Sequence, residues 1–153
     1  MSNPIRVAIA DDSVVVRQLL TEVLSEDPDL TVLHVAQHGE ELLTLLGRET
    51  PDVVVVDVVM PVMDGMETLL AIRDRFPTLP VVMYVTRSEL AEGTVEWMRS
   101  RGASDAVPKP PRVGHVERAM EDVRRSLIPC LKNWGRNELR GEATCLLTMP
   151  MHS

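Results

Sequence analysis

The chain has 153 residues, enough for one domain with a buried core and a short extension. With 44% hydrophobic and 25% charged residues, its composition is that of an ordinary globular protein. No apolar run approaches the roughly 18 residues of a membrane span, and the formal charge of −7 argues against nucleic-acid binding, which requires basic surface. The N-terminus shows no signal-peptide pattern, so we expect a cytoplasmic protein with no membrane or nucleic-acid partner.

Short apolar runs alternate with amphipathic stretches along the chain. The first helix is predicted to begin at Ser13, an N-cap, and to end before Asp27-Pro28-Asp29. Later helices are predicted at 39–49, from Met66 to Phe76, at 90–101, and over a fifth stretch marked by Val116 and Leu127. The predicted strands are Ile5–Ala10, Leu30–Ala36, 52–59, 80–85 and 104–107.

Five consecutive β-then-α units predict the fold. They indicate an α/β protein with a doubly wound, five-stranded parallel sheet between helices, and the flavodoxin-like order 2-1-3-4-5 is the natural one. Four consecutive valines in the third strand fit a strand that is covered on both faces. In this topology the active crevice lies at the carboxyl ends of the strands.

Three carboxylates follow strands that would be neighbours. Asp11 and Asp12 end the first strand and Asp57 lies near the end of the third, so they should converge. Like charges so close need a counter-charge, and a site rich in oxygen atoms suits Mg²⁺. Asp11 alone could equally be a helix cap, whereas a charge within a valine-rich strand needs a partner or a metal. Asp64 is interpreted as turn chemistry that opens a helix.

Lys109 would supply a cation to this cluster. It follows the fifth strand and precedes Pro110, and a cis bond at such a place would aim the side chain inward. The lysine could then pair with Asp57 and with a phosphoryl oxygen. A surface lysine beside a proline is the plainer alternative.

These residues together resemble a known family. The segments are Asp11-Asp12-Ser13, Asp57-Val-Val-Met60-Pro61-Val-Met63-Asp64-Gly65, Pro80-Val-Val-Met83 and Gly102-Ala103-Ser104-Asp105-Ala-Val-Pro-Lys109-Pro110. In this order they are similar to the receiver domain of two-component response regulators, with its CheY-like fold. The finer resemblance is to the receiver half of the chemotaxis protein-glutamate methylesterase CheB.

The resemblance implies a role for each matching position. Asp57 would accept a phosphoryl group from a histidine kinase, and Lys109 would contact that group. Asp12 and the Val59 backbone carbonyl would bind Mg²⁺ with Asp57, and Asp11 would help through water. Residues 1–128 would form the receiver domain and 129–153 an extension or the start of a linker, too short for an esterase domain. The chain itself would then not be an enzyme beyond handling its own phosphate.

The signalling switch departs from the family pattern. Receivers usually carry a serine or threonine at the end of the fourth strand, where this chain has Val85, with Thr86 one residue later. They usually carry an aromatic residue in the fifth strand, where this chain has Ala106. We expect that Asp57 can be phosphorylated but that the signal is transmitted differently or weakly.

The C-terminal segment leaves several possibilities open. Residues 131–141 could extend the last helix or dock separately, with Trp134 as an anchor. Residues 143–153 could cover a surface patch, mediate a homodimer, or be a disordered end, the usual state of a terminus. Cys130 and Cys145 are expected to be plain thiols.

Three classes of function therefore remain. The first is the phosphorylatable module, which would signal to an output domain or a chemotaxis partner. The second is a degenerate receiver that docks or dimerises regardless of phosphate, or the regulatory fragment of a methylesterase. The third is an enzyme or a flavin protein of this fold. A haloacid dehalogenase phosphatase needs an aspartate where Val59 stands, and Asp11-Asp12 would repel a flavin phosphate.

Overall fold

The sheet has the predicted topology. The computed structural model describes residues 3–110 and 115–136. Five parallel strands lie in the order β2-β1-β3-β4-β5, which confirms the predicted fold class. The strands are β1 (Ile5–Ala10), β2 (Leu30–Ala36), β3 (Val53–Asp57), β4 (Val81–Val85) and β5 (Asp105–Pro108).

Helices lie on both faces of the sheet. They are α1 (Val14–Ser25), α2 (Gly39–Arg48), α3 (Gly65–Arg75), α4 (Thr94–Ser100), α5 (Val116–Asp122) and α6 (Ile128–Gly135). The prediction that the fourth helix begins at residue 90 was wrong. A 3₁₀ turn over Arg87–Glu89 comes first, and Gly93, with φ 85° in the left-handed region, precedes α4 and sets its beginning.

The valine run of β3 explains why this strand lies in the middle of the fold. Val53 and Val55 pack into a core with α1, α5 and α6, whereas Val54 and Val56 pack into a second core with α2, α3 and α4. Successive side chains of a strand point to opposite faces, so a strand covered on both faces needs apolar residues at every position. The strand ends at Asp57, where the chain reaches the edge of the sheet.

The last helix continues past residue 128, which is the first of the two alternatives that the sequence left open for residues 131–141. A π-helical segment over Val123–Leu127 joins α5 to α6. Pro129 lies just beyond it; a proline lacks the N–H that would bond the preceding turn and its ring crowds that turn, so a wider turn accommodates it. Leu131 and Trp134 are buried in the core on this face. The domain boundary predicted at residue 128 therefore lies inside a helix.

A polar contact fixes this extension to the sheet. The Trp134 indole Nε1 donates to Asp105 Oδ2 at 3.3 Å, and the Arg99 guanidinium pairs with Asp105 Oδ1 at 3.2 Å. The anchor suggested for Trp134 is thus confirmed. The Cys130 thiol also lies 3.7 Å from Asp105, and burial raises its pKa, which keeps it protonated.

Among residues 3–110 and 115–136, no helix is both long enough and apolar enough to cross a membrane. Residues 143–153 and Cys145, to which the sequence assigned several alternatives, lie outside the described residues.

Candidate functional site

Three carboxylates meet at the carboxyl edge of the sheet. Asp11 and Asp12 follow β1 and Asp57 ends β3, and one oxygen of each lies within 4.8 Å of the others. Asp11 is 1% exposed and Asp57 4% exposed, whereas Asp12 faces solvent. The predicted convergence follows from the topology, because β1 and β3 are paired neighbours that run in the same direction.

Local hydrogen bonds hold Asp11 in place. Its Oδ1 accepts from the Ser13 backbone N–H at 2.9 Å, and its carbonyl accepts from the Arg17 guanidinium at 2.7 Å. The Ser13 hydroxyl caps α1 by accepting from the Val16 N–H at 3.2 Å. Asp11 thus makes the turn contact of the plainer interpretation with one oxygen. Its Oδ2 is buried and faces the Lys109 ammonium at 3.1 Å.

Lys109 lies inside the cluster rather than on the surface. Its ammonium is 2.8 Å from Asp57 Oδ1 and 3.1 Å from Asp11 Oδ2, and its side chain is only 15% exposed. Burial lowers the pKa of Lys109, but the hydrogen bond to Asp57 and the charge of Asp11 raise it by more, so the net change is an increase. The side chain reaches the cluster without the cis bond before Pro110 that the sequence allowed, since residues 3–110 and 115–136 contain no cis peptide bond.

The electrostatics of the pocket act mainly on Asp57. Burial raises the pKa of Asp57 to about 6, and the nearby charges of Asp11 and Asp12 raise it as well, while Lys109 lowers it. At pH 7 the carboxylate is therefore ionised but poorly compensated. A further cation would bind here favourably because it would offset three negative charges against one lysine.

The loop after β3 brings its backbone close to the cluster. The Val58 carbonyl accepts from the Gly65 N–H at 2.7 Å, and a Cβ at Gly65 would fall 2.2 Å from the Asp57 carbonyl oxygen. Only glycine allows this approach. Asp64 and Glu67 form a capping box at the beginning of α3, as the turn interpretation predicted. No backbone N–H in the described chain donates to the Val59 carbonyl, which leaves that oxygen available as a ligand.

The donor set fits a magnesium ion. It comprises three carboxylates and a backbone carbonyl, and hard oxygen ligands in small number suit Mg²⁺ with its retained waters. The three carboxylates share a single ammonium, that of Lys109, so the donor set carries negative charge that a divalent cation would offset. These residues can therefore hold such an ion.

The candidate switch residues are not part of this cluster. Val85 is fully buried in the core with α2, α3 and α4, and Ala106 packs against the same core. Thr86 is exposed, and its hydroxyl lies 3.0 Å from the Ser88 hydroxyl in the turn after β4. Neither half of the usual hydroxyl–aromatic pair is therefore built as in the family pattern.

Tyr84 was not identified from the sequence as a residue near the pocket. It is 1% exposed, pairs with Asp57 across β3 and β4, and its ring centroid lies 5.8 Å from the Lys109 ammonium. The available signal was a tyrosine, the single one in the chain, within an otherwise aliphatic strand. A buried tyrosine usually needs a partner for its hydroxyl, which marks such a position for attention.

Comparison with known proteins identifies the family to which this fold belongs. The family model described as the response regulator receiver domain matches residues 7–121. The chain belongs to the response regulator receiver domain family. The four sequence segments that contain Asp11, Asp57, Met83 and Lys109, in that order, predicted this membership.

Several relatives indicate which members of the family this chain resembles. The protein-glutamate methylesterase/protein-glutamine glutaminase of a Nocardioides species is 43% identical over 84% of this chain and 35% of its own length. That of Trichodesmium erythraeum is 34% identical over 92% of this chain and 40% of its own length. The chain thus spans little more than a third of these relatives and matches their receiver part. The response regulator domain of Thermotoga maritima CheB superposes with a TM-score of 0.74 at 25% identity, covering 86% and 96% of the two chains.

Proposed function

We propose that this receiver domain accepts a phosphoryl group on Asp57 from a phosphohistidine of a histidine kinase. The observation that carries the proposal is the Lys109 ammonium 2.8 Å from Asp57 Oδ1, next to two further carboxylates at the open edge of the sheet. Receiver domains in general interact with histidine kinases and chemotaxis proteins, and that is the class of partner expected here.

The chemistry follows from the positions of these side chains. An Asp57 oxygen attacks phosphorus as the bond from phosphorus to the kinase imidazole breaks, and the imidazole leaves with its electron pair. Lys109, already charged and held beside Asp57, donates to a phosphoryl oxygen and offsets its negative charge. Water later attacks phosphorus, the bond from phosphorus to the Asp57 oxygen breaks, and inorganic phosphate leaves as the carboxylate is regenerated. The receiver part contributes positioning and charge, and is not itself the catalyst of any further reaction.

We further propose that Asp12, Asp57 and the Val59 carbonyl hold Mg²⁺, with Asp11 acting through water. When bound, the ion would neutralise carboxylate and phosphoryl charge in the pocket. The Asp57 pKa of about 6, raised by burial and by the adjacent carboxylates, supports the need for a second cation beside Lys109. A receiver of Borrelia burgdorferi, 26% identical with a TM-score of 0.66, is described as a CheX-CheY-BeF3-Mg+2 complex.

Phosphate incorporation from a small phosphodonor such as acetyl phosphate tests this function. We expect one phosphate per chain in wild type with Mg²⁺, and none in Asp57→Asn or when the metal is chelated. Asp74→Asn is the matched control, because it removes the same charge from an exposed position on α3 and should incorporate phosphate normally. If wild type incorporates no phosphate, the proposal is wrong.

The relatives suggest a role for the whole protein. Because they are methylesterases whose receiver part this chain matches, we propose that the chain corresponds to the regulatory portion of such a protein. The methylesterase activity belongs to those relatives. The cytoplasmic location and the possible homodimer stay predictions.

A second candidate is a receiver that docks regardless of phosphate. The observation that favours it is the exposed Thr86 hydroxyl, which bonds Ser88 instead of facing Asp57, together with the apolar Val85. Partner affinity measured with and without beryllofluoride and Mg²⁺ separates the two functions. Equal affinity in both states would favour docking alone.

A further inference from the structure

Strand β4 contacts Lys109 in two ways. The Lys109 backbone N–H donates to the Val85 carbonyl at 2.6 Å, which fixes the start of the side chain beside the end of β4. The Lys109 ammonium then lies 5.8 Å from the centroid of the Tyr84 ring, one residue earlier on the same strand. A backbone anchor and a ring face therefore bracket the side chain between β4 and Asp57.

The Tyr84 hydroxyl does not explain why a tyrosine is buried here. It is a buried oxygen without a hydrogen-bond partner in the described chain, although such a group normally costs stability. Burial raises the pKa of Tyr84, and the charges of Asp122 and Asp11 raise it further, so the phenol stays neutral. A neutral phenol cannot form an ion pair with Lys109. The ring is the part of the residue that acts on the lysine.

We propose, on the basis of the phosphoacceptor function above, that Tyr84 is a positioning residue whose ring face holds the Lys109 ammonium beside Asp57. A cation within about 6 Å of an aromatic centroid is attracted by the ring, most strongly where both are desolvated. Lys109 is 15% and Tyr84 1% exposed, so the contact is shielded from water. When Mg²⁺ takes over charge compensation of the carboxylates, the ring keeps the lysine in the pocket, ready for the phosphoryl group.

Two variants separate the ring from the hydroxyl. Tyr84→Phe keeps the ring and removes the hydroxyl without a partner, so phosphorylation should stay within about twofold of wild type. Tyr84→Leu keeps an apolar side chain but removes the ring, and phosphorylation by acetyl phosphate should slow roughly 2- to 30-fold, the range of one shielded cation–π contact. Mg²⁺ affinity should change little, because Lys109 is not a metal ligand.

A matched control guards against a general loss of stability. Leu131→Ala opens a cavity in the same core, in α6 and outside the pocket, and should leave the phosphorylation rate unchanged. In a Lys109→Met background, Tyr84→Leu should have no additional effect on the rate if it acts through the lysine. Equal rates for Tyr84→Leu and Tyr84→Phe, or equal slowing by Leu131→Ala and Tyr84→Leu, would overturn the proposal.

A readout without phosphate distinguishes this proposal from the function on which it rests. The chain has two lysines, Lys109 and Lys132, so ¹³C-lysine labelling gives two sets of side-chain signals that Lys132→Arg assigns. The Tyr84 ring should shift the Lys109 signals upfield, and the shift should persist in Tyr84→Phe and vanish in Tyr84→Leu. A shift unaffected by Tyr84→Leu contradicts positioning, even if wild type is phosphorylated. If wild type takes up no phosphate, the phosphoacceptor function fails and the lysine shift alone decides the positioning.

Discussion

The carboxyl edge of the sheet contains two regions that differ in how closely they follow the receiver pattern. In the first, around β1 and β3, the three aspartates and Lys109 are assembled within a few ångströms, with Lys109 2.8 Å from Asp57. In the second, after β4, Val85 is buried among apolar residues and Thr86 turns its hydroxyl to Ser88. The two regions lie at the ends of directly paired strands, β3 and β4.

This difference indicates that accepting phosphate and responding to it have separate structural requirements. Acceptance requires charges that converge, and the parallel sheet brings these together wherever β1 and β3 are neighbours. A response requires a group that binds differently to the two states of Asp57. Thr86 shows no such contact in this structure, whereas Tyr84, on β4, faces the Lys109 ammonium with its ring.

The largest effect is expected from replacing the cation of the first region. Lys109→Met should slow phosphorylation of Asp57 about 100- to 1000-fold, as the loss of one preorganised donor to a developing anion does in other active sites. The measurement is the initial rate with acetyl phosphate and saturating Mg²⁺. Lys132→Met is the control, because that lysine pairs with Asp27 and Asp29, outside the pocket. Equal rates for the two variants would show that the pocket works without its lysine.

The second-largest effect is expected on the pH dependence of stability, which the buried Asp57 of the first region should cause. The folded pKa of Asp57, about 6, lies above the ordinary value of 3.8, so between these values the folded state binds a proton that the unfolded chain has released. Ionisation of Asp57 is therefore less favourable in the folded state than in the unfolded chain. As a result, the free energy of unfolding falls as pH rises from about 4 to about 6. Asp57→Asn removes this cost and should raise the free energy of unfolding at pH 7.5 without Mg²⁺ by up to about 3 kcal/mol.

Urea unfolding at several pH values measures this effect. The stability difference between Asp57→Asn and wild type should shrink towards zero near pH 3.5, where both states of the wild type are protonated. Asp74→Asn should show no comparable rise, because Asp74 is exposed. An Asp57→Asn variant less stable than wild type at pH 7.5 would mean that Lys109 more than compensates the buried charge.

A smaller effect is expected in the loop that joins β3 to α3. Val62 has φ 71°, the only non-glycine positive φ among residues 3–110 and 115–136, and it is 71% exposed. A β-branched residue is strained in this conformation, which asparagine tolerates better. Val62→Asn should raise the free energy of unfolding by about 1 kcal/mol and leave phosphorylation unchanged. Val59→Asn, in the same loop without a positive φ, should change stability by less than half of that; an equal gain would exclude backbone strain as the cause.

The smallest effect is expected in the second region. Thr86→Ala should leave both the phosphorylation rate and the lifetime of the acyl phosphate within about twofold of wild type, because the hydroxyl contacts Ser88 and not the pocket. Ser88→Ala, which removes the other member of that contact, should behave in the same way. A tenfold change with Thr86→Ala alone would show that Thr86 moves to the phosphoryl group and acts as the switch.

Much of the fold could be predicted from the sequence because local patterns are sufficient for it. The alternation of strands and helices, the Ser13 cap and the four valines of β3 are each set by nearby residues, and a parallel sheet leaves few arrangements for five such units. Asp11, Asp12, Asp57 and Lys109 could be named because each directly follows or ends a strand. Once the strand order is known, it is also known which strand ends lie side by side.

Only the tertiary structure decided the features that depend on distant contacts. The last helix passes Pro129 because Trp134 bonds Asp105 on β5, 29 residues earlier, and because Leu131 fills the core. Lys109 meets the ring of Tyr84 through the pairing of β4 with β5, which no spacing in the sequence reveals. Helix ends, side-chain directions and ring contacts are determined by the free energy of packing between elements. Whether a segment is a strand or a helix is determined largely by the residues within it.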